Sequence, residues 1–573
     1  MDWEKFAITL STVCLSLTVV YASFNPSSKY SLSIYAENPL FWLGVTIAGG
    51  LSIVTIVLGS RRRLSIGVLY LVGVIVLFAP TLLGFYFHAG GDGLTQLGWL
   101  KAIKDGEFSI FGLRYMGLQL ISLVISSILN ISLRRALMFS VVVYGILYMV
   151  TLPIVVRHFT GTRIGYVGGA IFAVMFGVVD AFSTRLTPHP FSLAMLSLPF
   201  VSLAYFYSAD RSSVNGWRSS IIGLCGAVVI CLAHPLAGIL IGCVLIVSVL
   251  VGRFPIGIRS SAIGGVIIVL LAFFYRIMNQ FMYQRAASGI FAKINSIDIY
   301  GYFSSQSSSV NSTGQSVSSV ILNIYGFDIL LCIIAGLYGL WSLKKVLRQE
   351  SVNSLELDVL RLGFGLSFVF VAFAIFVAID YGEFSYRLIS IFVFFSTVVV
   401  SGLVSVLIDT SPKYSILDVN ASSVAVTLFL VIGLTVSVSG AYASSDMLRP
   451  NKHIPETNMD GYSWIFQFEE ESVEYNEIRA EAFRYRYAIE GVDRRAWLRK
   501  SMAPDHFNNH DLPSAYAEPH YLAVTEGDTV RETKLYGGFR FNSTDFNYLN
   551  RDRDINKVYS SSTFRLYYVG SGK

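Results

Sequence analysis

The apolar residues of this chain are gathered into blocks of about 20, set apart by short charged punctuation, and that layout calls for helices crossing a bilayer. A hydrocarbon core gives backbone N–H and C=O groups no water to bond, so each block must satisfy its own polar groups as a helix. Blocks lie near 6–24, 39–59, 64–87, 136–156, 164–182, 191–208, 221–233, 236–252, 262–280, 323–343, 359–379, 388–408 and 421–438. The expectation is an α-helical polytopic membrane protein of about 13 spans. Only His234-Pro235 divides 221–233 from 236–252, which implies a tight hairpin there. The first block, Phe6 to Phe24, has no small-residue cleavage site behind it and reads as a span, not a signal peptide.

Charged residues make up 14% of the chain, against a usual ~25%. The formal charge of +6 is scattered, so nothing points to nucleic acid. Cys14, Cys225, Cys231, Cys243 and Cys332 all fall in apolar blocks and read as small core residues. The last 135 residues hold no cysteine, so no disulfide framework holds them.

Met116 to Ile131 decides the topology. Gln119, Ser122, Ser126 and Asn130 recur there at three- and four-residue spacing along one helical face. Such a stripe suits a helix lying in the interface. The alternative is a span whose polar face turns into the bundle. With the block not spanning, Arg61, Arg62, Arg63, Arg157, Arg163, Arg211, Arg218, Arg253, Arg259, Lys344, Lys345 and Arg348 share one side, which the positive-inside bias makes cytoplasmic. Arg134 and Arg135 fall on the other side, against the trend. The expected layout has a cytoplasmic N-terminus, a transmembrane domain over 1–438, external loops at 88–135 and 281–322, and an external soluble α+β region over 439–573. That last region reads as an acidic helical stretch at 468–488 and strands near 520–570. The Ser-rich run Ser304 to Ser319 reads as mobile. Asn311 and Asn542 head Asn-x-Ser/Thr triplets on the external side, and Asn420 heads one on the cytoplasmic side.

Ionisable residues at the external membrane face are the places to look for chemistry, because charge near hydrocarbon is costly. His88-Ala-Gly-Gly-Asp92-Gly puts a carboxylate among glycines directly after a span. Leu94, Leu97, Leu100 and Ile103 keep helical spacing behind it, so Asp92 opens a short amphipathic helix. The carboxylate there can cap the helix, act as a general base, or bind a hard cation.

An acidic residue in the first large external loop, then a short helix, an interfacial helix, many spans and an external tail, resembles the GT-C membrane glycosyltransferases. Asp92, Thr95, Leu97, Gly98, Ile103, Gly106 and Tyr115 match the pattern of a prokaryotic, notably archaeal, branch of that family. The likeness covers 88–250 in layout but only 92–116 in motif. Gln96 stands where that branch has His, and Met116 stands where Pro would follow Tyr115. Glutamine cannot take up a proton at neutral pH as imidazole can, so no acid–base role falls to position 96.

The resemblance implies transfer of a sugar from a polyprenyl-phosphate-linked donor to a glycan or protein acceptor at the external face of the cell membrane. Membrane lipid and the lipid-linked donor are the expected partners. Asp92 would be the general base or, in an oligosaccharyltransferase-like version, a ligand to a divalent cation such as Mg or Mn. Arg185 and Arg387 sit near span ends where a guanidinium fork suits phosphate. His189, His234, Asp380, Tyr381 and Glu383 gather at similar depth, with Asp180 before Arg185. The 281–322 loop is placed to close over the site. Two rival classes remain: a flippase or transporter of lipid-linked sugars, and a scaffold whose external tail binds partners. The near absence of mid-span charge speaks against a polar transport path.

Overall fold

The computed structural model describes residues 2–27, 30–110, 113, 116–176, 186–209, 316–378, 382–410, 421–470, 472–479, 482–492 and 500–571, with Cys225, Val228, Leu232, His234 and Val244 singly. The hairpin around His234-Pro235, the block 262–280 and the loop 281–315 lie outside the described residues, as do Asp180, Asp380, Tyr381, Asn311 and Asn420.

Helices dominate the described residues of the first 440. They are α1 (Trp3–Phe24), α2 (Ile34–Glu37), α3 (Pro39–Leu58), α4 (Arg62–Leu82), α5 (Gly90–Lys104), α6 (Met116–Leu129), α7 (Leu133–Thr160), α8 (Gly165–Phe172), α9 (Pro190–Ala209), α10 (Val317–Leu347), α11 (Ser354–Ala378), α12 (Gly382–Thr410) and α13 (Ala421–Ser439). Among the described residues seven helices are long and apolar enough to cross a membrane, within α1, α3, α4, α7, α10, α12 and α13. Local chemistry sets their ends. The Ser132 side chain accepts from Arg135 N to start α7, and Ser316 accepts from Ser319 N to start α10, inside the serine run.

Two blocks depart from their expected extent. The helix in 64–87 stops at Leu82, and Phe87–His88 instead forms strand β1, antiparallel to β2 (His453–Ile454) of the C-terminal region. The helix in 164–182 stops at Phe172, so its eight residues measure ~12 Å. Arg134, which ran against the charge bias, donates to the Tyr86 carbonyl and lies 3.4 Å from the centroid of the Tyr86 ring.

After α13 come α14 (Glu456–Phe468), β3 (Glu474–Glu477), α15 (Ala482–Glu490), β4 (Lys500–Met502), β5 (His520–Thr525), β6 (Ile555–Ser560) and β7 (Phe564–Val569). The sheet order is β4-β3-β5-β7-β6, with β3 parallel to both β4 and β5 and the remaining pairs antiparallel. The expected helix over 468–488 is corrected: β3 runs through its middle, and α15 follows.

Alternation along β5 sends Leu522 and Val524 to one face and Ala523 to the other. The first face closes over Phe507, Phe541, Phe546 and Val569. The second, with Phe564, Leu566, Tyr475 and Tyr462, runs unbroken into the apolar core of the helical bundle.

Candidate functional site

Asp92 lies in the first turn of α5, where a carboxylate is favoured by the helix dipole. Getting the chain there requires a sharp entry. Gly90 takes φ +65°, and the Lys452 carbonyl accepts from both Ala89 N (3.1 Å) and Gly90 N (3.0 Å). Leu94, Leu97 and Leu100 are buried, as their spacing predicts, and carry the helix against the core. No side chain caps this N-terminus, so the Asp92 carboxylate does not serve as the helix's cap.

What it does is pair with the tail. The Arg484 guanidinium, on α15, donates Nη1–H to Asp92 Oδ1. Helices α5 and α15 pack so closely that a Cβ on Gly98 would stand 2.5 Å from the Tyr487 carbonyl oxygen. Lys101 Nζ donates to the Ile489 carbonyl at 3.0 Å, binding the far ends of the two helices. The Glu477 carboxylate accepts from Ala482 N and fixes the start of α15.

Asp92 keeps 60% of its side chain exposed, and Arg484 28%. Burial by itself would raise the Asp92 pKa. The Arg484 charge and hydrogen bond, helped by His189 and Lys452, outweigh it and hold the carboxyl below its ordinary value. Asp92 is therefore ionised across the physiological range, with three basic groups turned toward it.

One turn along α5, Gln96 Oε1 accepts from Gln119 Nε2 of α6. Gln119 is buried, and its Oε1 has no partner among the described residues. The polar stripe of α6 thus turns inward at Gln119 and Ser122, while Leu120, Val124, Ile128 and Leu129 are exposed. At 14 residues α6 measures ~21 Å, short of a ~30 Å hydrocarbon core.

Beneath the loop an aromatic layer ties the parts together. Phe85 stacks on His453 at 4.1 Å, and His88 meets the Tyr442 ring edge-on at 5.2 Å. Tyr442 Oη donates to the Val76 carbonyl at 2.6 Å. Burial first, then the nearby His453 and Lys452, push the His88 pKa down to about 3.

Of the residues singled out in the sequence, the structure brings Asp92 and His189 into one field. The His189 Nδ1 accepts from Phe191 N at 3.2 Å, at the start of α9. His234 is buried, 5.3 Å edge-on from Phe191. Arg185 lies outside the described residues; Glu383 and Arg387 fall within α12, but their side chains are outside them. Arg484 and Lys452 carried no signal in the sequence: both read as ordinary tail cations, and only the fold sets them beside Asp92.

For a divalent cation the donor set is a poor fit. The Asp92 carboxylate already holds Arg484 and faces Lys452, a field that repels a cation. No group of three or more His, Cys, Asp or Glu side chains gathers as metal ligands among the described residues.

Fold and site define a multi-pass helical membrane protein with a mixed-sheet C-terminal region closing on a loop carboxylate. No protein-family model matches the chain. No curated protein matches it either. Among solved structures it is similar to ArnT from Cupriavidus metallidurans in the apo state, with TM-score 0.38 and 11% identity over 89% of this chain and 98% of that one. It is also similar to the Archaeoglobus fulgidus oligosaccharyltransferase in its apo form, with TM-score 0.46 and 12% identity over 93% of this chain and 74% of that one. A second structure of that oligosaccharyltransferase, in complex with Zn and sulfate, gives TM-score 0.43 and 12% identity over 92% of this chain and 73% of that one.

Proposed function

We propose that the chain is a membrane glycosyltransferase that moves a sugar from a polyprenyl-phosphate donor to an acceptor hydroxyl at the external membrane face, with Asp92 as general base. The observation that carries this reading is the pairing of an ionised carboxylate with a cluster of cations at the membrane-side loop. A base for the acceptor and a cationic seat for the leaving phosphate are the two groups such a transfer needs.

In the transfer, Asp92 takes the proton from the acceptor O–H as that oxygen bonds to the anomeric carbon. The bond from that carbon to the phosphate oxygen breaks, and its electron pair leaves with the polyprenyl phosphate. Arg484 and Lys452 meet the phosphate charge from the tail side, and Arg185 and Arg387 are the candidates to meet it from the bundle. Gln119 Oε1, without a partner among the described residues, is a ready acceptor for a sugar hydroxyl, since a buried carbonyl oxygen without a bond is costly. Glu383, His189 and His234 are further candidates for holding substrate. The reading needs no metal, and a Mg or Mn version would first have to move Arg484 off the carboxylate.

The test is transfer of labelled sugar from a polyprenyl-phosphate donor pool in membranes. Asp92→Ala and Asp92→Asn are expected to lose transfer by roughly 10²-fold or more, the scale of general-base catalysis, at normal protein levels. Transfer that survives both substitutions removes Asp92 from the chemistry and the proposal with it.

A further inference from the structure

A carboxylate held by an arginine is a poor base, and the proposed reaction asks Asp92 to accept a proton. We propose that Arg484 masks Asp92 in the resting chain, and that the donor's phosphate unmasks it by drawing the guanidinium onto itself. This rests on the glycosyltransferase reading for the source of the phosphate.

The exchange is set up by the way Arg484 is held. Its backbone belongs to α15, which is locked to α5 through the Gly98–Tyr487 approach and the Lys101 bond to Ile489. Among the described residues the side chain makes one hydrogen bond, from Nη1 to Asp92 Oδ1, while it lies along the Gly91 backbone and near the Phe483 ring at 5.4 Å. A guanidinium carries five N–H donors in a planar fork, and among the described residues the others have no hydrogen-bond partner. A phosphate can therefore engage the open side of the fork before the carboxylate lets go. Because both partners are partly exposed, the pair is weak and readily exchanged.

The charges around Asp92 all act in the same sense. Arg484 faces it from α15 and Lys452 from the segment leading into β2, and His189, before α9, adds to them only when its imidazole is protonated. A bound phosphate brings negative charge to that cluster and takes up its most direct member. Both changes raise the proton affinity of Asp92 at the step where a base is needed. The chain thus couples donor arrival to activation of its base, with Arg484 passing from the carboxylate to the phosphate.

The exchange can be read without any sugar. Full-length protein in lipid nanodiscs is treated at mildly acid pH with a hydrophobic carbodiimide, which couples to protonated carboxyls, and the Asp92 adduct is quantified by mass spectrometry. Asp92→Asn confirms the adduct's position. Wild-type protein is expected to label weakly, and polyprenyl monophosphate to raise labelling several-fold. While the group stays mostly ionised, each unit of pKa rise multiplies its protonated fraction about tenfold. Arg484→Gln is expected to label strongly without lipid and to respond no further, and Arg484→Lys to restore the wild-type pattern in large part. Inorganic phosphate at the same concentration is expected to leave labelling low; a full response to it would overturn the lipid as the source. Labelling of wild type that falls or stays level with lipid, or Arg484→Gln that labels as wild type does, overturns the exchange. An exchange observed in a protein that transfers no sugar would sink the glycosyltransferase reading and leave the exchange standing.

Discussion

His88 occupies the join between loop and tail, buried beside Tyr442 and paired in register with His453. Neither ring nitrogen has a hydrogen-bond partner among the described residues, so this imidazole is tolerated only while neutral. Its pKa of about 3 in the fold lies below the ordinary 6.5. Between those values the unfolded chain binds a proton that the folded chain excludes. Stability is therefore full above pH 6.5 and falls as pH drops, by about 1.4 kcal/mol per unit for this group. His88→Phe keeps the ring, removes the titration and leaves no polar atom unmet. It is expected to flatten the acid decline of the melting temperature in detergent between pH 6.5 and 4, with little change at pH 7.5. An unchanged slope would place the acid sensitivity elsewhere. Asp92 and Arg484 show what was legible at this scale and what was not. A carboxylate among glycines directly after an apolar block stands out in any reading. Arg484, 392 positions further on in a tail helix, sits in Arg-Tyr-Arg and looks like any surface cation.

Helices α5 and α15 meet across Gly98, whose place a side chain cannot share with the Tyr487 backbone. Gly98→Val would have to force the helices apart, because backbone atoms cannot step aside as a flexible side chain does. Overpacking of this kind costs about 1–3 kcal/mol, and here it would also withdraw Arg484 from Asp92. The expected outcome is a lower melting temperature together with strong carbodiimide labelling of Asp92 in the absence of lipid. A variant that melts lower with Asp92 still masked would show the ion pair to be independent of the docking. At this scale the hydrophobic period served well where apolar positions carried it, as at Leu94, Leu97 and Leu100 of α5. It failed in the tail. Strand β3, Glu474-Tyr475-Asn476-Glu477, buries its last three residues, so a largely covered strand is written mostly in polar letters and passed for part of an acidic helix. Glu477 is spent on capping α15, a use no periodicity can reveal.

Taken whole, the tail is part of the body of the protein. One face of its sheet continues the bundle's apolar core, and the β1–β2 pairing binds residues 87–88 to 453–454. Two segments that pair backbone to backbone must lie on the same side of a membrane, whatever the number of spans between them. The pairing keeps the loop and tail together on one side, and α4, long and apolar enough to cross, would carry Arg61, Arg62 and Arg63 to the other. From the basic bias and a non-spanning α6 the sequence expects the loop and tail on the external side, and nearly all of residues 210–315 stay outside the described residues. In a chain whose five cysteines have been replaced, single cysteines at the exposed positions Asp105, Arg551, Arg63 and Arg348 test it directly. A membrane-impermeant maleimide applied to intact cells is expected to label the first two, and the last two only after permeabilisation. Opposite labelling of positions 105 and 551 would break the loop–tail pairing, and with it the shared site. Labelling of 63 and 348 alone would keep the pairing but turn the molecule over, placing Asp92 on the cytoplasmic side and removing the external face from the proposed reaction.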